Sequence, residues 1–147
     1  LVEMSAVNTN HPVVNAVLNQ KFHLAREQGT SMIFKVGDMS GMRLNEEETV
    51  ILLSNLLDNA IRECVKVVKA GRKAVIHIKL VQEDGKIIFS VKNPVVEKVQ
   101  ITDGIVQDSN GGMHGIGLSN VKAVVDKYGG DFVISCDSEK FQAVVML

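Results

Sequence analysis

A stripe of amide and cationic side chains on one predicted helix is the feature of this sequence best suited to chemistry. At about 100° per residue, one narrow stripe of that helix carries Asn55, Asn59, Arg62 and Lys66. Glu48 extends the stripe upstream. Asparagine is a poor helix former, whereas a solvated helix face would more naturally carry Glu, Lys or Gln. Amide oxygens are ligands that suit Mg²⁺, and the two cations would meet the remaining charge of a phosphate group.

Asp58 lies at the edge of this stripe. A salt bridge from Asp58 to Arg62, one helical turn later, is favoured over a catalytic role for the carboxylate. A solvated charged face is the alternative interpretation of the whole stripe.

Four glycines, Gly111, Gly112, Gly115 and Gly117, cluster in a predicted loop immediately before another amphipathic helix. Glycines let the backbone approach a ligand closely, and the positive end of the following helix favours an anion, so phosphate is the predicted occupant. His114 either contacts that phosphate or is solvated. The cluster lacks the Gly-Lys-Ser/Thr ending of a P-loop and the third glycine of a dinucleotide fingerprint.

The composition bounds the remaining possibilities. The chain has 147 residues, of which 46% are hydrophobic, enough for one domain with a proper core. Sixteen Lys and Arg against 17 Asp and Glu give a net charge of -1, so nucleic acid is not an expected partner. Cys64 and Cys136 lie far apart without metal-type spacing, which favours reduced thiols in a cytosolic compartment. No apolar run approaches the roughly 20 residues of a membrane span. Because the sequence starts at Leu1 without Met, we expect residues 1–147 to be a fragment of a longer protein.

The apolar periodicity predicts three helices and five strands. The helices are expected over residues 12–28, from a cap at Asn45 to near Gly71, and along a stripe from Leu118 to Tyr128. The strands are expected over residues 31–36, 74–82, 86–91, 131–136 and 141–147. The polar segment 93–110 is too long for an ordinary connection and is predicted to be a lid. These elements predict an α/β (α+β) two-layer sandwich, with a mixed, mainly antiparallel sheet and three main helices on one face.

Two motifs and one strand end occur in a consistent order along the chain. They are Asn55-Leu56-Leu57-Asp58-Asn59-Ala60-Ile61, the strand end Val91-Lys92-Asn93-Pro94, and Gly112-Met113-His114-Gly115-Ile116-Gly117-Leu118. In this order they resemble the GHKL superfamily of gyrase, heat-shock chaperone, histidine kinase and mismatch-repair ATP-binding domains. They look most like the catalytic domain of peptide-pheromone-type sensor histidine kinases, over about residues 11–147. The resemblance implies a Bergerat-type ATP-binding fold with a lid over approximately residues 94–114.

The resemblance also implies a role for individual residues. Asn59 matches the Mg²⁺-binding asparagine of the family, and Asn55 stands where the gyrase and chaperone ATPases have a general-base glutamate. Because an amide cannot take up the proton, phosphoryl transfer to a protein side chain is expected rather than fast hydrolysis. Arg62 matches a position that is often basic in kinases, though often Glu in the pheromone-sensor subgroup. Asn93 stands where the family has an aspartate that binds the adenine amino group, although the glycines that follow that aspartate are missing.

The implied catalytic residues are therefore Asn55, Asn59 and Arg62, with Asn59 as the Mg²⁺ ligand. The implied ATP-binding residues are Asn55, Asn59, Arg62, Lys66, Asn93, Gly112, His114, Gly115, Ile116, Gly117 and Leu118.

The implied function is that of the ATP-binding catalytic domain of a sensor histidine kinase. Such a domain transfers the γ-phosphoryl group of ATP to a histidine on a separate helical hairpin of the parent protein, with a response regulator downstream. His11 has no such hairpin around it, and His23 and His77 are expected on surfaces. ATP and Mg²⁺ are the expected cofactors, and the isolated domain is expected to be a monomer from the cytoplasmic part of a membrane-bound sensor. An anti-sigma-factor-type serine kinase and a non-catalytic GHKL-like interaction module remain open alternatives.

Overall fold

The three predicted helices are present. The structure is a computed structural model that describes residues 8–98, 100–102, 105–107 and 114–147, with the backbone alone described over 100–102, 105–107 and 114–116. The helices are α1 (Pro12–Glu27), α2 (Glu46–Lys69) and α3 (His114–Lys127). Asn45 and Glu48 start α2 with a capping box, in which each side chain accepts a hydrogen bond from the backbone N–H of the other. Gly71, at a φ of +80°, follows the end of α2 in a conformation that favours glycine.

The start of α3 differs from the prediction. Gly115 and Gly117 were expected in a loop, but α3 begins at His114, so both glycines lie in its first turn. A glycine inside a helix costs about 1 kcal/mol relative to alanine. At Gly117 the close approach of α2, described below, explains why a glycine is nevertheless used.

The five predicted strands form one sheet. They are β1 (Ser31–Val36), β2 (Val75–Glu83), β3 (Lys86–Pro94), β6 (Asp131–Cys136) and β7 (Lys140–Met146). The sheet order is β1-β2-β3-β7-β6, in which β1 pairs with β2 in parallel and the other pairs are antiparallel. The predicted mixed, mainly antiparallel sheet is confirmed. Within the predicted lid, β4 (Gln100–Thr102) and β5 (Ile105–Gln107) form a separate two-stranded hairpin that the sequence analysis did not anticipate.

Alternation along the strands gives the sheet one covered face and one open face. The covered face packs on the helices, and its fully buried side chains include Phe89, Phe141, Ile76 and Leu80. The helices contribute apolar residues of the same core, among them Leu18, Leu52, Leu53, Leu56, Leu57 and Leu118. On the open face Ile33 and Val133 each remain 54% exposed. The predicted two-layer sandwich with its helices on one face is therefore confirmed.

A partly buried ion pair joins α1 to α2. Lys21 Nζ lies 2.7 Å from Asp58 Oδ1, and the lysine side chain is only 11% exposed. The expected salt bridge between Asp58 and Arg62 is wrong, because the tertiary partner from α1 takes the carboxylate. Asp58 directly precedes Asn59, so the ion pair helps fix the rotation of α2 about its axis.

A second carboxylate joins α2 to α3. Glu48 is 7% exposed, and its carboxylate accepts hydrogen bonds from Lys127 Nζ at 2.6 Å and from the Tyr128 hydroxyl. It also accepts the Asn45 backbone N–H at 3.0 Å. Glu48 was expected to extend the polar stripe toward a ligand, but its carboxylate is instead a structural anchor for the end of α3.

Other expectations drawn from composition can also be compared with the structure. Cys64 is buried, Cys136 is half-buried, and neither forms a disulfide. Burial, with a smaller effect of the nearby Glu63 charge, raises the pKa of the Cys64 thiol to about 12, which keeps it protonated and unreactive. Among the residues that the structure describes, no helix is both long enough and apolar enough to cross a membrane.

The Glu48 anchor makes a pH-dependent contribution to stability. Hydrogen bonds from Lys127, Tyr128 and the Asn45 backbone lower the pKa of Glu48 from 4.5 to about 2. Because the folded-state pKa is depressed, the stabilisation is complete above about pH 4.5 and is lost as the pH falls toward 2. We expect Glu48→Gln to lower the free energy of unfolding at neutral pH. Measured by urea titration, the difference between this variant and the wild type should vanish as the pH falls from 4.5 toward 2. The exposed Glu46 is a matched control: Glu46→Gln should cost less at neutral pH. A pH-independent loss in Glu48→Gln would contradict this anchor.

Candidate functional site

The polar stripe of α2 faces α3, and this contact defines the candidate site. Glu48, near the start of α2, meets Lys127 at the end of α3. Asn55, two turns further along α2, meets Gly117 in the first turn of α3, where an added Cβ would lie 3.0 Å from Asn55 Oδ1. The two helices therefore run antiparallel, with the stripe between them. The alternative interpretation of a freely solvated face does not fit this packing.

The N-terminus of α3 lies beside the middle of the stripe. Along α2, Asn59 and Arg62 follow Asn55 by about 6 Å and about 10 Å. In the opposite direction α3 reaches its first residue, His114, about 5 Å before Gly117. The first backbone N–H groups of α3 therefore lie at about the same height along α2 as Asn59. The first N–H groups of a helix have no partner within the helix, and together with the positive end of the helix dipole they make this position favourable for an anion.

Asn59 and Arg62 bring polar groups to the same place. Asn59 is 3% exposed. Arg62 Nε is buried and lacks a hydrogen-bond partner within the described part of the chain. Buried polar groups are nearly always paired, so unpaired ones require an explanation. A bound polyanion with its counter-cation would supply an acceptor for Arg62 and a hard cation for the Asn59 oxygen.

Asn93 supplies a second unpaired group, from the sheet. It lies on the covered face of β3 and is 2% exposed. Its Nδ2 donates to the backbone oxygen of Pro94 at 2.9 Å, and its Oδ1 is buried with no partner among the described residues. Because the local bond occupies the donor, the group presented to the interior is an acceptor. An exocyclic amino group is the matching donor.

Other predicted site residues have different surroundings. Lys66 is exposed and forms a salt bridge of 2.8 Å with Glu63, so a phosphate would have to compete for its charge. Leu118 is 1% exposed in the apolar core, so any contact with a ligand would come from its backbone. Gly112, like Gly111, lies outside the described residues. The backbones of His114, Gly115 and Ile116 begin α3.

The three histidines that were set aside occupy structural or surface positions. His11 caps α1, with Nδ1 accepting the backbone N–H of Val14 at 3.3 Å. His23 and His77 are exposed, as expected.

Sequence reasoning missed Lys21, whose ammonium holds Asp58 beside the stripe. A signal was available in the spacing of α1. The buried face of that helix consists of Val14, Val17, Leu18, Lys21 and Ala25, so a cation stands in the middle of an apolar face. Such a residue needs a buried partner.

The contact between Asn55 and Gly117 can be measured as a coupling energy. In an open helix Gly→Ala gains about 1 kcal/mol, but a Cβ at position 117 would press on Asn55 Oδ1. Asn55 cannot readily yield, since its Nδ2 donates to the Ile51 carbonyl at 2.8 Å. We expect Gly117→Ala to give no gain in the wild type and a gain of about 1 kcal/mol in an Asn55→Ala background. Urea unfolding of the four proteins in this double-mutant cycle measures the difference. Equal effects in both backgrounds would disprove the contact.

Comparison with solved structures identifies histidine kinase domains as similar folds. The catalytic domain of histidine kinase ThkA has a TM-score of 0.71 at 15% identity, with 95% of this chain and 92% of that chain covered. The histidine kinase domain of the Erythrobacter litoralis blue-light activated histidine kinase has a TM-score of 0.65 at 14% identity, with 91% and 58% covered. Full-length ShkA in complex with AMPPNP has a TM-score of 0.66 at 18% identity, with 92% and 29% covered. This chain thus spans well under two thirds of the last two structures.

Sequence comparison gives a more specific result. No curated protein matches the sequence. The sequence model of the GHKL domain matches residues 44–147, which run from the start of α2 through β7 and make up most of the chain. This chain therefore belongs to the GHKL domain family.

Proposed function

We propose that this chain is the ATP-binding catalytic domain of a sensor histidine kinase in two-component signalling. The observation that carries the proposal is the position of the N-terminus of α3 beside the polar stripe of α2, where Arg62 Nε is buried without a partner among the described residues and Asn59 is 3% exposed. Asn93 Oδ1, on the covered face of the sheet, is a second buried acceptor without a partner there. Membership of the GHKL family and the fold shared with histidine kinase domains support it. One of those similar structures is a complex with AMPPNP.

Each of these groups fits one part of ATP. The Asn93 Oδ1 acceptor matches the adenine amino group, which is a donor, and would disfavour the carbonyl that guanine has in its place. Arg62 would donate to phosphate oxygens, and the first N–H groups of α3 would do the same. The buried Asn59 amide oxygen is the hard ligand that Mg²⁺ prefers beside phosphate oxygens and water. When bound, that ion would neutralise part of the triphosphate charge.

Asn55 favours phosphoryl transfer over hydrolysis. Its Nδ2 is held by the Ile51 carbonyl, so the side chain presents its Oδ1 beside Gly117. An amide oxygen can orient a nucleophile but cannot take up its proton at neutral pH. Water attack on the γ-phosphate would therefore lack a general base, a loss of about 10² to 10⁴ in rate. The nucleophile best served by this site is a histidine on the helical hairpin of the parent protein.

The remaining parts of the proposal concern the parent protein. We place residues 1–147 as one catalytic domain of a longer cytoplasmic region, with the acceptor hairpin elsewhere in that protein and a response regulator as the next phosphoryl acceptor. Oligomerisation belongs to the hairpin in this scheme, so the domain alone is a monomer. The segment over approximately residues 94–114 serves as the lid.

Nucleotide binding should depend on Mg²⁺ and on Asn59. Millimolar ATP should raise the Tm more with Mg²⁺ than with EDTA, since a ligand at 100 times its Kd stabilises the native state by about 2.7 kcal/mol. Asn59→Ala should remove most of that difference. Asn19→Ala, an exposed asparagine of α1, should leave it unchanged. A wild-type melting curve that ATP and Mg²⁺ do not shift would reject nucleotide binding and favour a non-catalytic interaction module.

The reaction type can be tested with the acceptor hairpin of the parent protein. Adding that hairpin to the domain with ATP and Mg²⁺ should form phosphohistidine faster than free phosphate. The acid lability of the product separates it from the phosphoserine that an anti-sigma-factor-type kinase would form. Rapid steady ATP hydrolysis by the isolated domain, unaffected by Asn55→Ala, would show that a different base activates water.

A further inference from the structure

A basic cleft lies at one end of the sheet, and Asn93 of the candidate nucleotide site is among the residues that line it. It has a volume of about 640 Å³ and lies where β2 begins, β3 ends and β7 begins. Four Lys and Arg side chains and one histidine line it, against one carboxylate, that of Glu139. The Lys and Arg residues are Arg72, Lys73, Lys92 and Lys140, and the histidine is His77.

The side chains of His77 and Lys92 in the cleft lie on the opposite face of the sheet from the side chain of Asn93. His77 and Lys92 are directly opposite each other in the register of β2 and β3. Their neighbours Ile76, Ile78 and Val91 are buried on the covered face. Because successive side chains of a strand point to opposite faces, His77 and Lys92 point away from the helices.

The arrangement of charge on this face is unfavourable for the isolated fold. Lys35 and Lys79 face each other directly across β1 and β2, and like charges so placed destabilise a sheet. Within the described residues the lysines and arginine of the cleft form no salt bridge. Four helical lysines do have carboxylate partners, namely Lys21, Lys66, Lys122 and Lys127. Arg72 donates a hydrogen bond to the backbone oxygen of Val95 at 3.4 Å, so Lys73, Lys92 and Lys140 carry the charges that a ligand would balance.

We propose that the cleft docks an acidic segment of a partner protein. From Lys73, just before β2, to Lys140 on β7 the cations of the cleft extend over two strand spacings, about 10 Å. A single phosphate or carboxylate cannot contact charges over that distance, whereas a segment with several Asp or Glu residues can. Such a segment would replace the missing carboxylates and relieve the repulsion between neighbouring cations.

The shape and the lining favour a polypeptide over other polyanions. Glu139 can accept a hydrogen bond from a peptide N–H, a donor that the phosphates of a lipid headgroup or a nucleic acid lack. Val75 and Pro94 add apolar surface to the same cleft, which suits the aliphatic parts of a peptide. A concave site also fits a chain segment better than it fits the plane of a membrane.

The test measures binding of a fluorescein-labelled peptide of alternating Glu and Ser by anisotropy at low salt. Replacing Lys92 and Lys140 together by Gln should weaken binding about tenfold, since each exposed ion pair contributes up to about 1 kcal/mol. A matched control replaces Lys69 and Lys86, which lie outside the cleft, and should stay within about twofold of the wild type. Added salt should weaken wild-type binding.

The outcomes separate this inference from the proposed function. The Lys92→Gln, Lys140→Gln protein should keep its Mg²⁺-dependent ATP response, so the two sites can succeed or fail independently. No peptide binding by the wild type, or an equal loss in both double variants, would overturn the acidic-segment site. It would also be overturned if the cleft variant kept peptide binding but lost binding to phosphatidylserine vesicles or to a DNA duplex.

Discussion

The antiparallel contact between α2 and α3 is the interaction on which the candidate site depends. At one end of the contact, the Glu48 carboxylate accepts hydrogen bonds from Lys127, from Tyr128 and from the backbone N–H of the α2 cap. At the other end, the two helices approach closely because Gly117 has no side chain that would clash with Asn55. Together these contacts fix both the direction and the level of α3. The start of α3, where N–H groups have no partner within the helix, is thereby placed beside Asn59 and Arg62.

That placement has an energetic cost in the absence of a ligand. A buried polar group without a partner costs about 1–3 kcal/mol, and Arg62 Nε and Asn93 Oδ1 are both in this state among the described residues. Burial of the apolar core, which includes Leu56 and Phe89, offsets this cost in the free energy of folding. Unpaired donors and acceptors in a fixed arrangement are a preorganised site, because a ligand then binds without first breaking internal hydrogen bonds.

Periodicity was sufficient to predict the three helices, the five strands of the main sheet and the sandwich, because helix and strand patterns are local. It did not predict the short hairpin of β4 and β5, whose strands have three residues each. Two other failures are tertiary. Asp58 pairs with Lys21 from another helix rather than with Arg62 one turn away, and Glu48 binds the end of α3 rather than a ligand. The basic cleft could not be predicted from the net charge of -1, because that value sums over the whole chain and does not show which side chains share a face of the sheet.

Strand β3 connects the two faces of the molecule. Asn93 points into the covered side with its unpaired oxygen, and the preceding Lys92 points into the cleft on the open side. Pairing with β2 places Lys92 opposite His77, and pairing with β7 places Asn93 opposite Phe141. A slip of one residue would turn Asn93 outward and bury a lysine charge in the core. The register that keeps the core apolar therefore also directs adjacent residues of β3 to the two proposed sites.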